Sequence, residues 1–185
     1  MFIQTEQTPN PATLKFLPGR AVMPAGTASF TDADAAKRSP LAERLFGVSG
    51  VEGVFFGSDF VTVTKAGDQD WTELKPAILG AIMEHFTAGQ PVMNDAPASE
   101  TPAAASGEDD EIVAQIKELI ETRVRPAVAQ DGGDIVFHSF EDGVVYLHMQ
   151  GSCSGCPSST ATLKAGIENM LRHYVPEVVE VRPVL

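Results

Sequence analysis

A stretch near the middle of the chain constrains the fold most, because nothing in it can anchor a hydrophobic core. Residues 93–108 read MNDAPASETPAAASGE, a mixture of proline, alanine, serine and acidic residues that is typical of a solvated, flexible segment. Random-coil scaling gives such a segment an r.m.s. span of roughly 20–25 Å. The sequence therefore predicts two independently folded domains, residues 1–90 and 109–185, joined by a flexible linker at 91–108.

The charge distribution agrees with this division and limits the partners. The net charge is −12 over 185 residues, and the six acidic side chains of residues 91–111, with no basic one beside them, account for half of it. Binding to nucleic acid needs clustered Lys and Arg, so we expect no nucleic-acid partner. We also expect no membrane span, since no run of 18 or more apolar residues is present.

The first residues bear on location. MFIQTE has neither the basic and apolar regions of a secretory signal nor the Arg-rich pattern of a transit peptide. We therefore expect an intracellular protein, in a bacterial cytoplasm or, as a processed organelle form, in the mitochondrial matrix. In a reducing compartment, two close cysteines are more often metal-binding or redox-active than a structural disulfide.

Hydrophobic patterns predict a small α+β domain in residues 1–90. Strands are predicted at 2–5, 12–17, 51–56 and 60–64, and helices at 39–46 and 70–86. Leu74, Ile78, Ile82 and Phe86 recur every fourth residue and predict the buried face of the second helix, whereas residues 20–38 are hard to interpret. This domain contains no cysteine, and its pattern favours a docking or structural module.

Residues 109–185 predict a second α+β domain with the order α-β-β-α-β. The predicted elements are a helix from about 108 into the 120s, strands at 135–141 and 144–150, a helix at 158–174 and a strand at 178–184. Pro126 predicts a kink or break in the first helix. Gly132 and Gly133 fit a left-handed helix cap, and Asp142-Gly143 is a strong hairpin signal.

Cys153 and Cys156, the only cysteines of the chain, follow the hairpin and precede the second helix of this domain. Pro157 and the hydroxyl residues behind it are helix-start residues, so both thiols should lie at or just before a helix N-terminus. Free N–H groups and the helix dipole favour a thiolate there. Because the neighbouring residues are small, we expect exposed sulfur atoms that are presented as soft ligands to something outside the domain.

The residues alone leave four interpretations of this pair open. A thioredoxin-type redox pair also lies at a helix N-terminus, but it follows a βαβ strand and usually an aromatic residue, whereas a hairpin and Gly-Ser precede Cys153. A zinc site would need His138 or His148 from the adjacent strands. An inert structural pair is the third interpretation. The fourth is an iron–sulfur cluster shared by a symmetric dimer, because a cluster takes four ligands and each chain offers two.

The residues around the pair resemble a known family. DGGD at 131–134, GSCSGCPSST at 151–160 and TLK at 162–164 resemble the NifU C-terminal (Nfu) domain. TPNPATLKF at 8–16 resembles the N-terminal domain of mitochondrial-type and related bacterial Nfu proteins. Together the two matches cover nearly all of the chain outside the linker.

The resemblance implies an iron–sulfur scaffold or carrier, not an enzyme, that receives a [4Fe–4S] cluster and passes it to apo-enzymes. It implies that Cys153 and Cys156 of two chains hold the cluster, with [2Fe–2S] as the second option. The implied partners are an upstream cluster-assembly scaffold, apo iron–sulfur client proteins and a second copy of this chain. The alternatives remain a thiol–disulfide oxidoreductase or a zinc-stabilised adaptor that uses the same cysteine pair.

The chain also departs from the longer NifU proteins. It has no cysteines to support their additional scaffold domain or their ferredoxin-like domain. This difference favours late-stage carriage of a cluster over de novo assembly with a cysteine desulfurase.

Overall fold

The computed structural model describes residues 2–24, 26–94, 109–153 and 157–184. Residues 95–108 of the predicted linker, and Cys156, lie outside the described residues. The chain divides into two compact units, Met1–Ser99 and Glu100–Leu185. Each unit combines helices with strands, which confirms the predicted α+β class. None of the described helices is both long enough and apolar enough to cross a membrane.

Unit 1 is an antiparallel sheet with helices packed on one face. Its elements are β1 (Gln4–Gln7), β2 (Thr13–Leu17), β3 (Ala28–Phe30), α1 (Ala33–Ala36), α2 (Pro40–Phe46), β4 (Val51–Phe56), β5 (Val61–Lys65) and α3 (Trp71–Thr87). The strand order is β1-β2-β5-β4-β3. Alternate residues of the central strands, such as Phe16, Phe56 and Val63, are fully buried against helix residues such as Leu45 and Ile78.

Local sequence signals set most of these elements. Ser39 caps α2 through a hydrogen bond that it accepts from the Ala42 N–H, and Pro40 occupies the first turn, as predicted. Asp70 caps α3 in the same way, and hydrogen bonding to Thr72 holds the pKa of this carboxyl below its ordinary value. The first strand begins at Gln4, two residues later than predicted. Residues 20–38, which the pattern left unassigned, contain β3 and α1.

The end of unit 1 folds back over the start of α2. The Ser39 hydroxyl donates to the carbonyl oxygen of Val92. The Asn94 backbone N–H donates to the Arg38 carbonyl at 2.9 Å, and its side-chain amide donates to the Lys37 carbonyl at 3.1 Å. Residues 91–94, which the sequence places in the linker, are therefore held by this unit.

Unit 2 is a three-stranded sheet covered by helices. Its elements are α4 (Asp109–Leu119), a π-helical turn (Ile120–Val124), α5 (Arg125–Gln130), β6 (Gly133–Glu141), β7 (Val144–Gly151), α6 (Pro157–Tyr174) and β8 (Glu180–Val184). β6 and β7 form an antiparallel hairpin, and α6 connects β7 to the parallel strand β8. Ile135, Leu147 and Val181 of the sheet are buried together with Ile116 and Leu171 of the helices.

Two predicted irregularities of unit 2 occur where the sequence places them. The long first helix changes to a π-helical turn just before Pro126, which then lies in the first turn of α5. Asp142 and Gly143 join β6 to β7 with φ angles of +49° and +78°, the left-handed conformation of a tight hairpin turn.

Candidate functional site

Cys153 lies in the turn between β7 and α6, four positions before the first residue of that helix. Its side chain is not exposed as predicted: only 6% of the residue is accessible, and it joins the hydrophobic core of unit 2 together with Met149 and Ile167. The predicted exposure is wrong because Gly133, which lacks a Cβ, leaves room for the sulfur to turn inward. Ser152 beside it is also buried, at 3%.

Gly133 supplies the space that Cys153 occupies. A Cβ at this position would lie 2.5 Å from the Cys153 Sγ, 2.9 Å from the Gln150 carbonyl oxygen and 3.0 Å from the Cys153 backbone nitrogen. No real side chain tolerates the first of these distances. Glycine is required here for close packing, whereas Gly132, with φ of +79°, is the residue that adopts the predicted left-handed conformation.

Hydrogen bonds tie the turn of Cys153 to the loop that precedes β6. The Ser152 backbone N–H donates to the Gly132 carbonyl at 3.3 Å, and the Ser152 hydroxyl donates to the Asp131 carbonyl. Gly151, at the end of β7, pairs with Gly133 and has φ of +63°, which directs the chain into the turn. The two glycine-rich segments that the sequence singled out therefore form one local structure.

An ion pair with a buried carboxylate lies at the edge of this structure. Asp134 is 3% exposed, and its two carboxylate oxygens accept hydrogen bonds from Nε and Nη2 of Arg125, both at 2.9 Å. The Ile135 N–H also donates to Oδ1 at 2.9 Å. The hydrogen bond to Asp134 raises the pKa of Arg125 above its ordinary value, so this guanidinium is charged. Sequence analysis singled out Asp134 as part of a motif but did not identify Arg125 as its partner.

The histidines considered for a zinc site are not directed to Cys153. His138 is exposed at a bulge of β6, five residues along the strand from Gly133, which is about 16 Å at the usual strand rise. His148 alternates with Leu147 and Met149, which point into the core, so its side chain projects from the other face of the sheet. In the described part of the chain, no three His, Cys, Asp or Glu side chains come together as metal ligands would.

A second unusual polar group lies in unit 1. His85 of α3 is fully buried, and neither ring nitrogen has a hydrogen-bond partner within the described ranges. Burial and, secondarily, the positive charge of Arg44 lower the pKa of His85 below its ordinary value of 6.5, although the nearby backbone of Gln90 and Pro91 acts in the opposite direction. The imidazole is therefore held neutral.

Two family models match the chain, one in each unit. The model described as "Scaffold protein Nfu/NifU N terminal" matches residues 3–89, and the model described as "NifU-like domain" matches residues 116–182. The second match contains the turn of Cys153, the Gly132–Gly133 loop and the Arg125–Asp134 pair.

Curated relatives align over nearly the whole chain. The human protein named "NFU1 iron-sulfur cluster scaffold homolog, mitochondrial" is 53% identical over 188 residues, which cover 100% of this chain and 72% of that protein. "NifU-like protein 4, mitochondrial" of Arabidopsis thaliana is 56% identical over 181 residues, which cover 96% of this chain and 64% of that protein. A solution NMR structure of a NifU-like protein from Saccharomyces cerevisiae is 29% identical with a TM-score of 0.46, over 51% of this chain and 86% of that chain.

Proposed function

Because the chain belongs to the Nfu/NifU family of scaffold proteins, we propose that it carries an iron–sulfur cluster and hands it to apo-proteins that require one. Its relatives are named as iron–sulfur cluster scaffolds, and this supports a role in cluster assembly over an enzymatic one. The clients are apo iron–sulfur proteins, and an upstream assembly scaffold supplies the cluster.

Cys153 and Cys156 are the proposed ligands. The observation that carries this assignment is the position of Cys153 in a turn directly ahead of α6, with Cys156 immediately before the first residue of that helix in the sequence. A [4Fe–4S] cluster takes four protein ligands, and this chain has two cysteines. Two protomers therefore bridge one cluster through the same surface of each, and a [2Fe–2S] cluster is the second option.

Release of the cluster proceeds by ligand exchange. A client thiolate forms a bond to one iron as Cys153 or Cys156 of one protomer leaves, and the exchange repeats until the client supplies the ligands. No oxidant or reductant is needed, because thiolate replaces thiolate. A thiol–disulfide oxidoreductase is disfavoured, because a relative that is 53% identical is named as an iron–sulfur cluster scaffold.

In this proposal, unit 1 holds the client while the linker, residues 95–108, keeps the cluster of unit 2 nearby. A covalent linker between the two units raises the effective concentration of the cluster at a docked client. The division of the chain into two compact units supports this arrangement. Of the two predicted locations, the names of the relatives support the mitochondrial one, and nothing in them supports the bacterial cytoplasm.

Anaerobic reconstitution with iron and sulfide tests the cluster assignment. We expect about four irons and four sulfides per dimer, as [4Fe–4S] stoichiometry requires, with visible absorption and the mass of a dimer. Cys153→Ala and Cys156→Ala should each abolish uptake, whereas Ser58→Ala, an exposed serine of unit 1, should not. One stably bound zinc per monomer, or rapid reduction of a standard disulfide without cluster uptake, would refute the proposal.

Proteolytic cleavage of the linker tests whether unit 1 docks the client. A protease site placed within residues 95–108 allows the two units of a loaded protein to be separated without any other change. Cleavage should leave the cluster content intact and slow transfer to a client apo-protein, because the second binding event becomes bimolecular. If transfer to every client tested is equally fast before and after cleavage, unit 1 does not dock them.

A further inference from the structure

We infer that Arg125 and Asp134 are positioning residues for Cys153: their ion pair fixes the loop against which Cys153 rests and so controls how readily this residue leaves its buried position. The inference rests on the proposed role of Cys153 as a ligand. It adds a control on that ligand by two residues that do not bind the cluster themselves.

The Arg125–Asp134 pair is held in one orientation by several hydrogen bonds. Both oxygens of Asp134 are bonded to the fork of Arg125 at 2.9 Å, and Oδ1 also accepts from the Ile135 N–H. A bidentate guanidinium–carboxylate pair fixes the orientation of both groups, unlike a single contact with a lysine. Asp134 is 3% exposed, so its carboxylate is largely shielded from solvent, whereas 31% of the Arg125 side chain is accessible.

Gly133, the covalent neighbour of Asp134, links this pair to Cys153. Gly133 precedes Asp134, and the missing Cβ of Gly133 is what leaves room for the Cys153 sulfur. A backbone shift of a few tenths of an ångström at Gly133 therefore changes the contact with Cys153 directly. The pair joins the first residue of α5 to the start of β6, across the loop whose carbonyls accept from Ser152.

The other charged contacts of unit 2 described below have more exposed carboxylates than the Arg125–Asp134 pair. Arg172 contacts Glu168 at 3.7 Å along α6, with 55% of the arginine side chain exposed. Lys164 and Arg182 both contact Glu180, which is 35% exposed. Ion pairs whose partners are exposed to solvent contribute little to stability. Among the described ion pairs of this unit, that of Arg125 with Asp134 has the most deeply buried carboxylate.

A π-helical turn directly precedes Arg125. A regular α-helix rotates by 100° for each residue, and the wider turn at Ile120–Val124 changes the direction in which the following residues project. Arg125 is the first residue after that turn. The irregularity that the sequence attributes to Pro126 therefore lies immediately before the arginine of this pair.

The rate at which Cys153 reacts with an alkylating reagent tests the inference in the apo-protein. With Cys156→Ala present, Cys153 is the single thiol of the chain. Arg125→Lys retains the charge and loses the fork, and we expect it to accelerate alkylation about tenfold, the factor that corresponds to loss of one charge-assisted hydrogen bond. Arg172→Lys, the same substitution at the exposed pair, should change the rate less than about twofold.

A second control separates positioning from general loss of stability. Gly143→Ala destabilises the far end of the β6–β7 hairpin, where the added Cβ would lie 2.8 Å from Val179. The two variants are compared at the same loss of unfolding free energy. If Arg125 acts through Gly133, Arg125→Lys should accelerate alkylation of Cys153 much more than Gly143→Ala does. Equal acceleration by the two variants would overturn the inference. Should Arg125→Lys not fold, Asp134→Asn takes its place under the same comparison.

The chain with both cysteines then distinguishes this inference from the proposed function. We expect the Arg125→Lys protein to take up a cluster whose half-life towards a chelator, and whose visible circular dichroism, differ from those of the parent and of Arg172→Lys. A parent protein that takes up no cluster refutes the proposed function and leaves the alkylation result standing. An alkylation rate within twofold of the parent refutes the positioning role even if the cluster binds.

Discussion

Substitution of Gly133 by alanine is the most direct test of how the site is built. The added methyl group would lie 2.5 Å from the Cys153 Sγ and 2.9 Å from the Gln150 carbonyl oxygen. The sulfur can move outward, but the carbonyl belongs to the backbone of β7 and cannot. The substitution should therefore both destabilise unit 2 and expose Cys153.

The magnitude follows from two opposing effects. Overpacking of a closely packed position costs typically about 1–3 kcal/mol. Replacing glycine by alanine also restricts the unfolded chain, which offsets roughly 0.4–1 kcal/mol of that cost. We therefore expect unit 2 to lose about 1–2 kcal/mol of unfolding free energy. With an m-value of about 1 kcal/mol/M, as for small domains in urea, its midpoint should fall by about 1–2 M.

The aromatic residues of the chain allow each unit to be followed separately. Both tyrosines, Tyr146 and Tyr174, lie in unit 2, whereas the single tryptophan, Trp71, lies in unit 1. In a urea titration of Gly133→Ala, the tyrosine-detected transition should shift and the Trp71 transition should not. The matched control is Gly166→Ala in α6, where a Cβ meets nothing within 4 Å, and this variant should stabilise unit 2 by about 0.5–1 kcal/mol.

A tyrosine-detected midpoint of Gly133→Ala equal to that of the parent protein would show that Gly133 is not closely packed. The expected exposure of Cys153 in this variant is refuted if Cys153 alkylation does not accelerate while the midpoint falls, because the methyl group would then be accommodated without moving the sulfur.

Three further outcomes follow from other positions. Unit 1 should lose stability as the pH falls through 6.5 and below, because the folded state holds the pKa of His85 below this ordinary value while the unfolded state takes up the proton. The Trp71 transition should show this loss, and His85→Leu should remove it; a loss that survives the substitution would exclude His85 as its source. Ser39→Ala removes the cap of α2 and the bond to Val92, and it should cost unit 1 about 1–2 kcal/mol where Ser58→Ala costs nothing measurable. Gly143→Ala, at φ of +78°, should cost unit 2 about 1–2 kcal/mol in the tyrosine signal, and an unchanged midpoint would contradict the hairpin geometry.

The buried residue His85 shows why a repeat of apolar residues does not fully define a buried helix face. A spacing of four residues advances the helix by 400°, so each step drifts by 40° from the face set by Leu74. After three steps Phe86 lies 120° away and is only partly buried. His85 lies eleven residues from Leu74, a rotation of 1,100°, which is 20° from the original face. Helical geometry places His85 on the buried face, but a search restricted to apolar residues passes over His85 because it is polar.

Local signals predicted the elements of unit 2, but they did not predict the contacts among them. Proline, glycine and Asp-Gly patterns depend on backbone conformation, which a few adjacent residues determine. The packing of Cys153 on Gly133 and the pairing of Arg125 with Asp134 join residues 20 and nine positions apart. Such contacts depend on how the hairpin and α5 come together, so the sequence indicated the residues without indicating which atoms meet.

The burial of Cys153 and its proposed role as a ligand are compatible because the two free energies involved differ greatly. Returning one small apolar side chain to water costs about 1–2 kcal/mol, whereas binding of a metal by thiolates contributes on the order of 10 kcal/mol. A cluster can therefore draw Cys153 out of the core. The cost of exposing Cys153 still lowers the affinity. Cys153 is available for binding in about one molecule in ten, which weakens the apparent affinity about tenfold. A client whose thiolates are already exposed does not bear this cost. Under the proposed function, the buried cysteine would thus favour transfer away from the carrier, and a variant that exposes Cys153 permanently, such as Gly133→Ala, should retain its cluster longer.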